Sequence, residues 1–225
     1  MRGPDGGTST FVSGVQLLSI PGKPFSAKTS TEWTRPVADG STITRHLEAK
    51  LARDSQGRLY RENHTFVPSN SKQKAPIYEI HIYDPVTRTQ TLCAVRTRVC
   101  VLTDYSPKTF FETASTGLNA NGTRSLTRES LGSEVIDGMY VTGTRETTTT
   151  SPGVAGNEQP LVSIRDFWYS SELQTNLAVT RNDPVEGKQE IRLSEISTTE
   201  PDPHLFDIPI GYTVRDDRSF ARHGR

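Results

Sequence analysis

The chain has 225 residues, sets 26 Lys and Arg against 26 Asp and Glu, and is 32% hydrophobic. The length fits one all-β domain. A neutral balance supplies no field for nucleic acid or for an anionic membrane surface, and no apolar run reaches the length of a membrane span. The low apolar content suits a sheet with one wet face, where only alternate residues need be apolar.

Met1 to Thr10 (MRGPDGGTST) is Gly-rich and lacks the apolar stretch of a signal peptide. It is expected to be a flexible N-terminal segment, 1–10, ahead of a single β-rich domain over 11–214. Phe25 to Val37 is Thr-rich and extended, and Ala38-Asp39-Gly40 turns it. Ser41 to Ala52 alternates, with Ile43, Leu47, Ala49 and Leu51 on one face. Asp54-Ser55-Gln56-Gly57 turns the chain into a returning strand from Arg58 to Val67. A polar loop from Pro68 to Ala75 leads to Ile77–Tyr83 (IYEIHIY), the clearest strand, which ends at Asp84-Pro85.

Cys93 and Cys100, the only cysteines, sit in TLCAVRTRVCV. A turn near Arg96-Thr97 sets them opposite each other, close enough for a disulfide and hence for an oxidising compartment. Two half-buried free thiols in a cytosolic protein are the alternative. The CxxC spacing of a metal or redox motif is absent.

Ser106 to Thr127 reads as a long connection, with a short helix starting at Ser106 and Pro107 at its first position. Strands are then predicted at Glu134–Ile136, Met139–Thr150, Leu161–Tyr169, Leu173–Thr180 and Lys188–Ser197. In EPDPHLFDIPIGYTV, Asp202 caps a short helical turn with Pro203 at its first position. Leu205 and Phe206 project from it as an apolar plug. Residues 215–225 (RDDRSFARHGR) read as a flexible charged tail. The predicted architecture is all-β with minor helix: a single, strongly curved antiparallel meander sheet, half-barrel-like. IYDPVTRTQTLCAV and FWYSSELQTNLAV share a pattern, which is either a duplication or the common look of hairpins.

No catalytic motif is expected. Asp39, Asp54, Asp84, Asp137, Asp183 and Asp202 all fall at turn signals, where a short carboxylate bonds nearby amides. The histidines have neither HExxH nor HxH spacing. His46, His64 and His81 fall on successive strands, but alternation turns His46 away from the Leu47 face and His81 away from the Tyr78, Ile80 and Ile82 face. Neither a metal nor a cofactor is expected. GxSxG and GxGxxG are absent, and Gly22-Lys23 lacks the rest of a phosphate loop. Asn63-His64-Thr65 and Asn121-Gly122-Thr123 match the glycosylation triplet. The candidate ligand-binding residues are the large apolar side chains Trp33, Phe66, Tyr78, Ile80 and Trp168. They line an apolar pocket or fill the core.

The run DPxLFxIPxGY at 202–212, after IRLSEIS and FWYSSELQTNLAV, resembles secreted bacterial proteins of the outer-membrane lipoprotein-sorting and lipoprotein-carrier type. PFSAKTSTEW, ARDSQGRLYRE, IYDPVTRT and ESLGSEVIDGMYVTGTRET are similar to uncharacterised secreted proteins of acidobacteria-type soil bacteria. The resemblance spans residues 24–214. It implies a half-barrel whose concave face holds acyl chains, although the lid helices of the carriers have no counterpart here. The expected protein is secreted or periplasmic and non-enzymatic, a carrier or sensor of lipid or another apolar ligand. The alternative is an envelope protein-interaction module without a small ligand, its exposed edge strands pairing with a partner.

Overall fold

The computed structural model of the chain describes residues 15–108 and 114–218. The strands are β1 (Phe25–Pro36), β2 (Thr42–Arg53), β3 (Leu59–His64), β4 (Val67–Pro68), β5 (Ile77–Asp84), β6 (Thr89–Ala94), β7 (Val99–Asp104), β8 (Gly117–Leu118), β9 (Arg124–Ile136), β10 (Met139–Thr150), β11 (Leu161–Ser170), β12 (Thr175–Asp183), β13 (Gly187–Ser197) and β14 (Thr213–Asp216). A 3-10 turn occupies Pro203–Phe206. Together the strands form one 14-stranded sheet in the order β14-β7-β6-β5-β3-β2-β1-β13-β12-β11-β10-β9-β8, with β4 off the path beside β2. The path is open, with β14 at one end and β8 at the other. The fold is therefore all-β and a meander in its hairpins. β14 departs from that pattern by pairing parallel with β7.

Turn chemistry explains the hairpins. Asp84 and Thr89, Ala94 and Val99, and Ser170 and Thr175 close three of them. Each loop ends on a left-handed residue: Arg88 (φ 52), Arg98 (φ 51) and Gln174 (φ 51). The likeness of IYDPVTRTQTLCAV to FWYSSELQTNLAV is thus matched by one shared loop geometry. The aspartates behave as turn residues do. Asp54 Oδ1 accepts from the amides of Gln56 (3.0 Å) and Arg58 (2.7 Å), Asp84 Oδ1 from those of Val86 (2.8 Å) and Thr87 (3.1 Å). Asp183 Oδ1 accepts from Val185 (2.9 Å) and Glu186 (3.0 Å), and Asp202 Oδ1 from His204 (3.0 Å).

Contacts group into two compact units: Met1–Gln16, Thr31–His46 and Phe111–Arg192 in one, and Leu17–Ser30, Leu47–Phe110 and Leu193–Arg225 in the other. In the second unit, Leu47, Ala49 and Leu51 of β2 alternate with exposed Glu48 and Lys50. Arg53 continues that buried face. Its Nε donates to Lys23 O (2.8 Å), its Nη1 to Leu18 O (3.1 Å), and its guanidinium lies 5.0 Å from the Phe25 ring centre. The other face carries Ala52, Tyr60, Ile82 and Phe206, with Ile80 and Leu205 against them. The plug expected at Leu205 and Phe206 is in place, and Asp202 caps its turn. Cys93 and Cys100 face each other across β6 and β7, are fully buried, and are joined by a disulfide.

In the first unit, Phe167, Val179 and Ile191 stand in register across β11, β12 and β13 and are buried. Leu126, Val141 and Leu177 are buried too.

Three expectations change. The connection expected over Ser106–Thr127 contains β8, and β9 starts at Arg124. The reason is that β9 is solvated along most of its length, so no apolar alternation marks it in SLTRESLGSEVI. Ser106–Lys108, where a short helix is expected to start, lie outside any helix, and residues 109–113 that follow lie outside the described residues. Arg215 and Asp216, expected in a flexible tail, belong to β14, where backbone pairing with Val101 and Leu102 holds a segment that has no buried side chain. Residues 1–10 and 219–225 lie outside the described residues.

Candidate ligand-binding site

The hairpin of β1 and β2 is closed by Asp39 and Gly40. Asp39 Oδ1 accepts from the Ser41 amide (2.9 Å) and hydroxyl (2.7 Å), while Gly40 takes φ +83 and donates to Val37 O at 3.0 Å. The Ser41 hydroxyl, then its amide, hold the Asp39 carboxyl below the usual carboxylate range. This turn is therefore held by local hydrogen bonds.

Beside the turn lies a cavity of about 340 Å³, lined by Trp33, Arg35, Pro36, Val37, Ala38, Ile43 and Arg45. Alternation explains the lining. Trp33 and Arg35 continue the face of buried Thr29 and Thr31, and Ile43 and Arg45 continue the face of buried Leu47 and Ala49. Trp33 is fixed from behind, because its indole Nε1 donates to Glu186 O at 2.7 Å. Gly187 next to it (φ +86) brings its backbone against Thr34 O and the Arg35 backbone, an approach that leaves no room for a Cβ. The Arg45 guanidinium stands 5.7 Å from the Trp33 ring centre, within reach of a cation–π interaction. Among the described residues, neither Arg35 nor Arg45 forms an ion pair. Ile43 is 43% exposed, which is high for a large aliphatic side chain on the same face as the core.

The five candidate residues are dispersed. Trp33 lines the cavity. Trp168 belongs to the same compact unit but lies over Gly143, whose missing Cβ makes room for the indole. Phe66, Tyr78 and Ile80 belong to the other unit, where Ile80 packs against the cluster under Phe206, Tyr78 is 50% exposed, and Phe66 follows β3, half-buried. Trp33 shares its cavity with Pro36, Val37, Ile43, Arg35 and Arg45. Arg45 lies on the strand face of Ile43 and Leu47, at its exposed end.

The face that carries Phe167 and Val179 is not uniformly apolar. Arg128 stands opposite Glu146, Glu146 opposite Arg165, Arg165 opposite Arg181, and Arg181 opposite Gln189. Glu146, Arg181 and Gln189 are buried, and Arg128 Nε donates to Glu146 Oε1 at 2.9 Å. This ionic row crosses the strands two residues from Phe167 and Val179 and lends that part of the sheet to polar contacts. The histidines have local partners. His81 Nδ1 lies 2.9 Å from the Tyr83 hydroxyl, with Asn63 and Glu79 at Nε2, and His64 lies 2.9 Å from Glu62. Among the described residues no group of His, Cys, Asp and Glu has the arrangement of a metal site.

The fold and the cavity define an open antiparallel-sheet protein with an apolar, arginine-flanked hollow. No family model matches the sequence, and no curated protein does. Among solved structures, the chain is similar to a conserved protein from Thermus thermophilus, with TM-score 0.47 and 11% identity over 87% of this chain and 91% of that one. It is also similar to MucB, with TM-score 0.39 and 9% identity over 85% of this chain and 59% of that one. A LolA superfamily protein from Nitrosomonas europaea gives TM-score 0.31 and 10% identity over 84% of this chain and 91% of that one.

Proposed function

We propose that this chain is a non-enzymatic carrier or sensor of a lipid or another apolar ligand, working in the periplasm or outside the cell. One observation carries the reading: the cavity beside the first hairpin, walled by Trp33, Pro36, Val37, Ala38 and Ile43. Ligand sites are concave, mostly apolar and supplied with a few polar groups, and this hollow has that composition. The disulfide between Cys93 and Cys100 supports an oxidising compartment. Native mass spectrometry of gently purified protein tests the reading. An adduct of lipid mass, lost in a variant with Trp33→Ala and Ile43→Ser, is expected. A bare polypeptide mass under every lipid-loading condition overturns it.

A second reading, an envelope interaction module, is favoured by the edge of β9. Among the described residues, β8 pairs only with Ser125 and Leu126 of β9, so Thr127–Ile136 present an outer edge to a partner strand. Under this reading a cross-linked envelope protein maps to Thr127–Ile136, and altering Trp33 leaves its capture unchanged. Cross-links confined to other strands exclude it.

A further inference from the structure

We infer that the ligand of the Trp33 cavity is an anionic amphiphile: an apolar chain or ring system ending in a carboxylate or phosphate. This inference rests on the apolar-ligand reading above and specifies its head group. Two observations carry it together. The walls of the hollow are Trp33, Pro36, Val37, Ala38 and Ile43, which offer carbon surface, whereas Arg35 and Arg45 stand at the same hollow. Those two guanidinium groups have no carboxylate partner among the described residues, although the molecule as a whole pairs its charges freely. Arg128, Arg145 and Arg218 each hold a carboxylate. The nearest acidic side chain in the turn, Asp39, has one oxygen committed to the Ser41 amide and hydroxyl.

Chemistry selects the head group. Two arginines at one mouth match an oxyanion, because each guanidinium presents a planar fork of donors to carboxylate or phosphate. Both arginines are exposed, so a neutral apolar ligand gains nothing from their charge, whereas an oxyanion gains charge-assisted hydrogen bonds. An anion without an apolar body would leave Trp33 and Ile43 wet, and two exposed arginines alone bind simple anions weakly in salt. The Arg45 guanidinium lies 5.7 Å from the Trp33 ring centre, beside the same indole that would contact the apolar body.

The full chain is titrated with dodecanoate, dodecyl phosphate, dodecanol and inorganic phosphate, by calorimetry and by quenching of Trp33 fluorescence in a Trp168→Phe background. Dodecanoate and dodecyl phosphate are expected to bind at least about tenfold more tightly than dodecanol, the gain of one charge-assisted contact. Inorganic phosphate is expected not to saturate. The double variant Arg35→Gln and Arg45→Gln should erase the difference between acid and alcohol while keeping dodecanol binding. Lys72→Gln with Lys74→Gln removes the same charge elsewhere and should leave the difference intact. Equal affinity for dodecanoate and dodecanol overturns the head-group inference and leaves the apolar-ligand reading standing. Binding of none of the amphiphiles overturns both. Phosphate binding as tightly as dodecyl phosphate also overturns the inference, since the apolar body then contributes nothing.

Discussion

The Arg58 guanidinium lies 4.7 Å from the centre of the Phe206 ring, while its Nε donates to Asp54 Oδ2 at 2.5 Å. The turn at Asp54 and the plug at Phe206, far apart in sequence, are thereby locked to the same side chain. Phe206 also covers Ala52, Tyr60 and Ile82. Phe206→Ala should therefore destabilise the protein by about 3 kcal/mol, the usual cost of emptying an aromatic site. Urea denaturation checks this, and a midpoint unchanged from the parent would show that the plug is dispensable.

The disulfide spans 7 residues of sequence. Closing a loop of that size removes chain entropy from the unfolded ensemble worth about 2–3 kcal/mol. Cys93→Ser with Cys100→Ser should lose roughly that amount, since the pair is also fully buried. Thermal unfolding with and without reductant provides the comparison: reductant should lower the midpoint of the parent and leave that of the double variant alone.

Gly187 meets the backbone of Thr34 and Arg35 at φ +86. Alanine there faces both a left-handed backbone and a backbone oxygen that has nowhere to go. Gly187→Ala should cost about 2 kcal/mol or more. The displacement should pass to Glu186 O and so to the indole it holds. A shift in Trp33 emission accompanying the lost stability is the expected signature; lost stability with unchanged emission would separate the glycine from the cavity.

Asp216 is held down by Arg218, first through side-chain hydrogen bonds that outweigh the opposing effect of burial, to about 2 from an ordinary 3.8. A carboxyl depressed in the folded state adds stability above its unfolded value and loses it as pH falls through the folded one. The stability contributed by the Asp216–Arg218 pair should thus be present above pH 3.8 and be lost as pH approaches 2. Carboxyl NMR titration of Asp216, with amide exchange at Thr213–Asp216, gives both numbers. A carboxyl midpoint near the ordinary value would remove Arg218 from the account.

The hairpins were legible because their signals are local. Asp-containing turns and alternating β-branched runs mark β1, β2, β5, β6 and β7, and the parity of His81 against Ile80 follows from the two-residue period alone. β9 was hidden because a strand solvated along both faces carries no alternation. The same locality limited the candidate site. Trp33 and Ile80 are equally apolar in sequence, yet one borders a hollow and the other abuts Phe206, a contact made across more than a hundred residues of chain. Arg45 carries no local signal, because its place beside Trp33 depends on a cross-strand neighbour that sequence alone leaves unspecified.

The division into compact units has a practical corollary. Its borders fall after Gln16, Ser30, His46, Phe110 and Arg192, and those after Ser30, His46 and Arg192 lie within β1, β2 and β13. Neither half can be liberated by one proteolytic nick or expressed by trimming an end. A cut at any of these three borders has to fall inside a paired strand, where the backbone is protected, so limited digestion should not leave a durable half.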